Sequence, residues 1–283
     1  INTFLDPEDI LLTHAPTFDM YDTEAAVIGA KTISVPDLPG FKRDWDGIAK
    51  AVEKYQPKLT VLCNPNNPTG ELAPLSEIER IVSLSKNPVL VDEAYMEFAQ
   101  AESAISLIKK YPNVMVIRTL SKAFGLAGMR CGYMVADSDM IDAVSKVKSP
   151  YNLNIFTQAF GAIALKHREE IFKVRDGIIA ERDRFLAELS FVNGIRVYPS
   201  STNFFLMDAG TYAPALFEAL RKADILDKGR RRKDPLRHPG GDPQCVKPPS
   251  LGRQRKRTYV CPYASTEKEP SKAHRASDSS TTC

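Results

Sequence analysis

Apolar residues fall into two textures along the 283-residue chain. Four short runs, LTVLCNP (59–65), PVLVDEAY (88–95), VMVIRTLS (114–121) and CGYMVA (131–136), are apolar throughout, which predicts strands buried on both faces. Between the first two lies LSEIERIVSLSK (75–86), with apolar residues at 75, 78, 81, 82 and 84, close to helical spacing. Residues 155–191 predict a long helical stretch with Ile171, Val174, Ile178, Phe185 and Leu189 on one face. IRVYPSSTNFFLMDA (195–209) reads as a strand pair or a bent strand, and 213–226 as a helix with Leu216, Leu220 and Ala223 on one side. Near the start, FLDPEDILLTHAP reads as a helix end running into a strand. Strands alternating with helices mean βαβ units. The expected fold class is therefore α/β, a mainly parallel sheet flanked by helices. Residues 1–150 are expected to form a large domain and 151–226 part of a smaller α+β domain. Chemistry is expected just past the carboxyl ends of the strands.

The pattern stops after Leu226. Residues 227–283 hold four aliphatic side chains (Leu236, Val246, Leu251, Val260) and seven prolines, too little apolar surface to offset the entropy of ordering. They also hold fourteen Lys and Arg against six Asp and Glu, net +8, leaving net −5 on 1–226 beneath an overall +3. A disordered basic tail is expected there. GRRRK and GRQRKR could suit a nucleic acid or anionic surface, but the abrupt switch inside an α/β unit favours a tail that is not the chain's natural end. A nucleic-acid partner is therefore not expected. His238, Cys245, Cys261, His274 and Cys283 lack metal-site spacing, so no metal is expected. No window offers the roughly eighteen unbroken apolar residues of a membrane span, so no membrane partner is expected. The opening INTFLDPEDILL has acids where a signal peptide needs a basic region, and it reads as a chain whose natural start lies upstream. Cys63 and Cys131 sit in apolar runs, which suits a reducing, cytoplasmic setting.

Four segments carry candidate chemistry. CNPNNPTG (63–70) forces a tight extended turn and leaves Asn67 at its lip. VLVDEAY (89–95) closes four residues of buried strand with Asp92, a carboxylate held at a strand top. A nucleotide-hydrolase reading of that acid needs an upstream G-x-x-x-x-G-K-[ST], and the chain has none. TLSKAFGLAGMR (119–130) sets Lys122 among Leu120, Phe124, Leu126 and Met129, an apolar environment that would depress its pKa and make it a nucleophilic amine. Gly125 and Gly128 would let the chain turn back and return Arg130 to the same place. HAPTFDMY (14–21) places Phe18 after a proline turn. An aromatic, an Asn, an Asp with a Tyr, a Ser–Lys and an Arg together match what pyridoxal 5'-phosphate needs. Those needs are an amine to carry it, an acid at its ring nitrogen, donors for its phenolic oxygen, cation and hydroxyl for its phosphate, and a stacking ring.

Residues 1–226 resemble the fold-type I pyridoxal-phosphate aminotransferases, and most closely the histidinol-phosphate aminotransferase family. PTFDMY, CNPNNPTG, VLVDEAYMEF, RTLSKAFGLAGMRCGY and SPYNLN carry the resemblance, in order. It implies that Lys122 carries the cofactor as a Schiff base and moves the substrate proton, with Asp92 on the pyridinium nitrogen. It further implies Asn67 and Tyr95 on the phenolic oxygen, Ser121 and Arg130 on the phosphate, and Phe18 on the ring face. Tyr21 is placed on the substrate side. The implied reaction takes histidinol phosphate and 2-oxoglutarate to imidazole acetol phosphate and glutamate, in histidine biosynthesis, by a homodimer acting on small molecules.

The resemblance has gaps. The family's Gly-rich phosphate turn would fall upstream of residue 1, and the arginine that clamps the substrate carboxylate has no strand context within 227–283. Little turnover is expected from the chain by itself. An aromatic amino-acid aminotransferase and a threonine-phosphate decarboxylase-like enzyme share most of these motifs. From another class, an inactive remnant or a basic-tailed binding protein competes.

Overall fold

The structure is a computed structural model that describes residues 1–223. The disorder expected over 227–283, and the end of the helix expected to reach 226, lie outside the described residues. Six strands form one sheet in the order β2-β1-β3-β4-β5-β6. They are β1 (Ile10–Ala15), β2 (Lys31–Pro36), β3 (Leu59–Cys63), β4 (Val89–Asp92), β5 (Val114–Thr119) and β6 (Gly132–Ala136). The first five run parallel and β6 pairs antiparallel to β5. This is the mainly parallel, helix-flanked sheet that the alternating pattern predicts.

Burial explains which strands the sequence marks most clearly. Every residue of β3 and β4 is buried, because helices cover both faces of the central sheet. On one face α2 (Trp45–Tyr55) and α3 (Leu75–Leu84) turn Ile48, Val52, Ile78, Ile81 and Val82 onto Leu62, Val89 and Val91. Asp44 starts α2 by accepting a 2.8 Å bond from the Gly47 N–H, satisfying one of the helix's free donors. The other face packs α1 (Met20–Ile28), through Tyr21 and Ala25, against Leu11, Val61, Leu90 and Met115.

Three expectations change. β6 is an antiparallel edge strand with Gly132 and Tyr133 exposed, rather than a strand buried on both sides; only Met134 and Ala136 reach the core. The long helical stretch breaks at His167 into α5 (Ile155–Lys166) and α6 (Arg168–Leu189), His167 leaving helical geometry at φ −99°, ψ 23°. Residues 1–9 form turns rather than a helix end. Beyond α4 (Ser138–Val147), the hairpin of β7 (Arg196–Val197) and β8 (Met207–Asp208) packs with α6 and α7 (Ala213–Lys222) around Phe205 and Met207. α6 also lies on the short 3-10 turn Met96–Phe98 that follows β4.

Candidate active site

The strands β1, β3, β4 and β5 end side by side, and the segments leaving them carry the sequence's candidate residues. Asp92 is the last residue of β4 and 8 % exposed. Its Oδ1 accepts from the Ala94 N–H at 3.0 Å and its Oδ2 accepts from the Tyr21 hydroxyl at 2.5 Å. Burial pushes the Asp92 carboxyl above its ordinary value, while the Tyr21 bond, the Ala94 N–H and the Lys122 cation oppose the rise. The Tyr21 phenol is raised well above its usual range, first by burial and then by its neighbours Cys63 and Asp92. Burial and Asp92 push the Cys63 thiol up to about 12, which keeps it neutral.

Tyr21 therefore stands elsewhere than the expected substrate side. Its position on α1, one turn past Phe18, aims it into the core, where it is 5 % exposed and bonded to Asp92. Phe18 is half-buried and meets Tyr21 edge to face, ring centroids 5.5 Å apart.

Asn67 stands at the lip of the turn after β3, and its amide donates to the Tyr95 hydroxyl at 3.4 Å, a long bond. Tyr95 is buried, edge-on to Phe204 with centroids 5.1 Å apart, and the Lys122 ammonium lies 5.2 Å from the centroid of the same ring.

Lys122 itself departs from the expectation of an apolar pocket. After β5 the chain tightens through Gly125 N–H to Lys122 C=O and Leu126 N–H to Leu120 C=O, both 3.0 Å. That turn sends Leu120 and Ala123 into the core and leaves Lys122 exposed, against an aromatic face instead of aliphatic walls. Ser121 is held by Thr119, whose hydroxyl donates to Ser121 Oγ at 2.9 Å and accepts from the Ser121 N–H at 3.0 Å. Arg130 takes a left-handed backbone at φ 54° and donates to the Ala127 carbonyl of its own turn at 3.2 Å. So Phe18, Tyr21, Asn67, Asp92, Tyr95 and Lys122 come together with Ser121 beside them, while Arg130 is turned to its own loop.

Several supporting residues escaped the sequence reading. Asn66 is fully buried; its amide donates to Pro16 C=O at 2.9 Å and Thr69 Oγ1 at 2.8 Å, and its Oδ1 accepts from Thr17 at 2.9 Å, tying the Phe18 loop to the Asn67 turn. Glu93 is buried and accepts from Ser103, Ala104 N–H and Arg118. Arg43 reaches under the same turn to the Cys63 carbonyl at 2.9 Å. Only the doubled Asn of CNPNNPTG hinted at one of them.

The donor set fits a pyridine-type cofactor. Each Asp92 oxygen has one donor and keeps a lone pair for a protonated ring nitrogen. Amine, phenol, amide and hydroxyl groups stand around it.

Comparison with known proteins agrees with this geometry. The family model described as aminotransferase class I and II matches residues 1–226. The histidinol-phosphate aminotransferase of Thermoanaerobacter pseudethanolicus is 44 % identical over 206 residues, 72 % of this chain and 58 % of that protein. The corresponding enzyme of Ruminiclostridium cellulolyticum is 40 % identical over 209 residues, 73 % of this chain and 58 % of the relative. The chain thus spans less than two thirds of the length of these relatives. A crystal structure of histidinol-phosphate aminotransferase from Sinorhizobium meliloti in complex with pyridoxal-5'-phosphate superposes with a TM-score of 0.71 at 27 % identity, covering 77 % of this chain and 61 % of that one. With the match running through every segment that builds the cluster at the strand ends, this chain belongs to the aminotransferase class I and II family.

Proposed function

We propose that the chain binds pyridoxal 5'-phosphate and is part of an aminotransferase acting on histidinol phosphate, with 2-oxoglutarate as acceptor, in histidine biosynthesis. The observation that carries this reading is the buried Asp92 at the end of β4 with Lys122 on the neighbouring strand exit. When bound, the cofactor supplies a protonated ring that stabilises negative charge on the substrate carbon. Asp92 holds the proton at the ring nitrogen, its carboxylate fixed from both oxygens. Asn67 and Tyr95, already paired, donate to the phenolic oxygen. Lys122 would hold the cofactor through its amine and, once the substrate's own amine had displaced it, the freed amine would take the proton from the substrate α-carbon, with the Tyr95 ring beside it. Ser121 serves the phosphate, joined by Arg130 once its guanidinium leaves the Ala127 carbonyl. Phe18 covers the ring face.

On this reading 1–150 is the cofactor-binding domain and 151–226 part of a smaller one. The active form is a cytoplasmic homodimer. Helix α5 supports the dimer, since it presents Ile155, Phe156, Phe160 and Ile163 to solvent, at 76, 69, 50 and 53 % exposure. Among the described residues no helix is long and apolar enough to cross a membrane. The test is borohydride reduction of the chain with pyridoxal phosphate, followed by peptide mapping. The adduct is expected on Lys122 and absent from Lys122→Ala; an adduct on another lysine, or none, overturns the reading. Turnover of histidinol phosphate against threonine phosphate and aromatic amino acids, in a full-length relative carrying these residues, then separates the substrate classes.

A further inference from the structure

The fold places Tyr21 away from the expected substrate side, and its surroundings give it a different task. Its hydroxyl lies 2.5 Å from Asp92 Oδ2, both residues are more than nine-tenths buried, and α1 presents the ring to the sheet between Leu11, Val61 and Cys63. Nothing in that setting is open to a substrate. We propose that Tyr21 is a positioning residue that fixes the Asp92 carboxylate and holds it in its charged form for the ring nitrogen of the cofactor; this rests on the cofactor reading above.

The chemistry follows from the groups that face Asp92. Tyr21 approaches from α1, Cys63 from β3, Glu93 from the residue just after β4, and Lys122 from the segment after β5. Cys63 is neutral and adds no charge. Glu93 repels the Asp92 charge, and burial penalises it more strongly still. Two hydrogen-bond donors work against burial: the Ala94 N–H, fixed by the backbone, and the Tyr21 phenol. The phenol is an effective neutral donor here because burial holds it protonated far above neutral pH. Without it, Oδ2 would be a buried oxygen facing a neutral thiol. The carboxyl would then take up a proton more readily and lose its attraction for a protonated ring nitrogen.

The test reads Asp92 directly in the cofactor-free full chain. The protein is labelled with [13Cγ]-aspartate, the Asp92 signal is assigned by its loss in Asp92→Asn, and it is titrated in the parent and in Tyr21→Phe. The Asp92 titration is expected to rise by about one to two pH units in Tyr21→Phe, the size of a hydrogen bond to a charged group. An unchanged titration in a folded Tyr21→Phe protein overturns the proposal. If that variant does not fold, 3-fluorotyrosine placed at position 21 keeps the ring and makes the phenol a stronger donor. The Asp92 titration should then fall below the parent's, and no change again overturns the proposal. A parent chain that fails to bind pyridoxal phosphate would defeat the cofactor reading while leaving this titration readable. With cofactor present, the affinity of Tyr21→Phe is expected to weaken roughly tenfold for each unit by which the Asp92 titration lies above the pH of the assay, so the loss grows as that pH is lowered.

Discussion

Replacing Arg118 by methionine should cost this chain a large share of its stability, through a carboxylate that the site needs but does not use. Glu93 directly follows Asp92 and its side chain is fully buried. Its Oε1 accepts from the Ala104 N–H at 2.7 Å, and its Oε2 from Ser103 Oγ at 2.7 Å and from Arg118 Nε and Nη2 at 3.0 and 2.7 Å. Arg118 also reaches Glu97 at 3.5 Å. Met fills most of the volume of the arginine stem, so the main loss is electrostatic: a buried charge without its counter-ion. Breaking such a pair from one side costs about 3–5 kcal/mol. Arg118 is 18 % exposed, so water can partly replace it and the lower end, about 3 kcal/mol, applies. At an m-value of about 2 kcal/mol/M the urea midpoint should fall by about 1.5 M. The double variant Glu93→Gln/Arg118→Met removes the orphaned charge and should recover part of that loss, a coupling that isolates the pair. Equilibrium urea unfolding followed by far-ultraviolet circular dichroism measures all four proteins. A midpoint for Arg118→Met within about 0.3 M of the parent, or a double variant weaker than the sum of the singles, would refute the reasoning.

Asn66→Ala should lower stability by about 1–3 kcal/mol, because it strands the buried Pro16 carbonyl and frees Thr17; pyridoxal phosphate titration should show a matching loss of affinity as the Phe18 loop loosens, and unchanged affinity would tell against that link. Gly70 has φ +76°, and a Cβ there would lie 2.5 Å from Ser200 Oγ, so Gly70→Ala should destabilise by about 1–3 kcal/mol in thermal melts, whereas an unchanged melt would mean the 200–202 segment yields freely. His14 is buried, bonded to Asp37 at 3.0 Å, and held well below its ordinary pKa by burial and by Arg43. A base depressed in the folded state is protonated first in the unfolded chain, so stability should drop as pH falls below about 6.5 and level off below the folded value, by at most about 1.4 kcal/mol per unit. His14→Gln should flatten that limb of the midpoint-against-pH curve, and an unaltered slope would assign it to other groups.

How much of this could be read from residues alone depended on how local the cause was. β3 and β4 were legible because both faces of each are covered, and β5 through its buried first half, Val114–Val116. β2 was not, since KTISVP lies at the sheet edge with mixed exposure and its pairing with β1 is visible only in three dimensions. β6 misled because its apolar letters serve one packed face and an exposed Tyr133. Asp92 and Asn67 could be placed from strand end and turn alone. Lys122 and Tyr21 could not: one faces outward because a turn of hydrogen bonds rotates it there, and the other faces inward because the phase of α1 turns residue 21, with Ala25 one turn on, toward the sheet. Asn66 and Glu93 act through partners 50 and 11 residues distant in sequence, which no local pattern encodes.

The order of the sheet bears on when the cluster at its strand ends comes into being. Leu11 pairs with Leu59, Val61 with Leu90, and Leu90 with Met115, so none of these contacts is a hairpin and each must close a long loop before it yields any burial. Phe18, Asn67, Asp92 and Lys122 therefore meet only when four strands are in register, late on the way to the native state. A ligand bound through all of them has little to hold in earlier intermediates. Added during refolding, it should leave the rate of folding nearly unchanged, and its whole effect should emerge as slower unfolding of the finished protein.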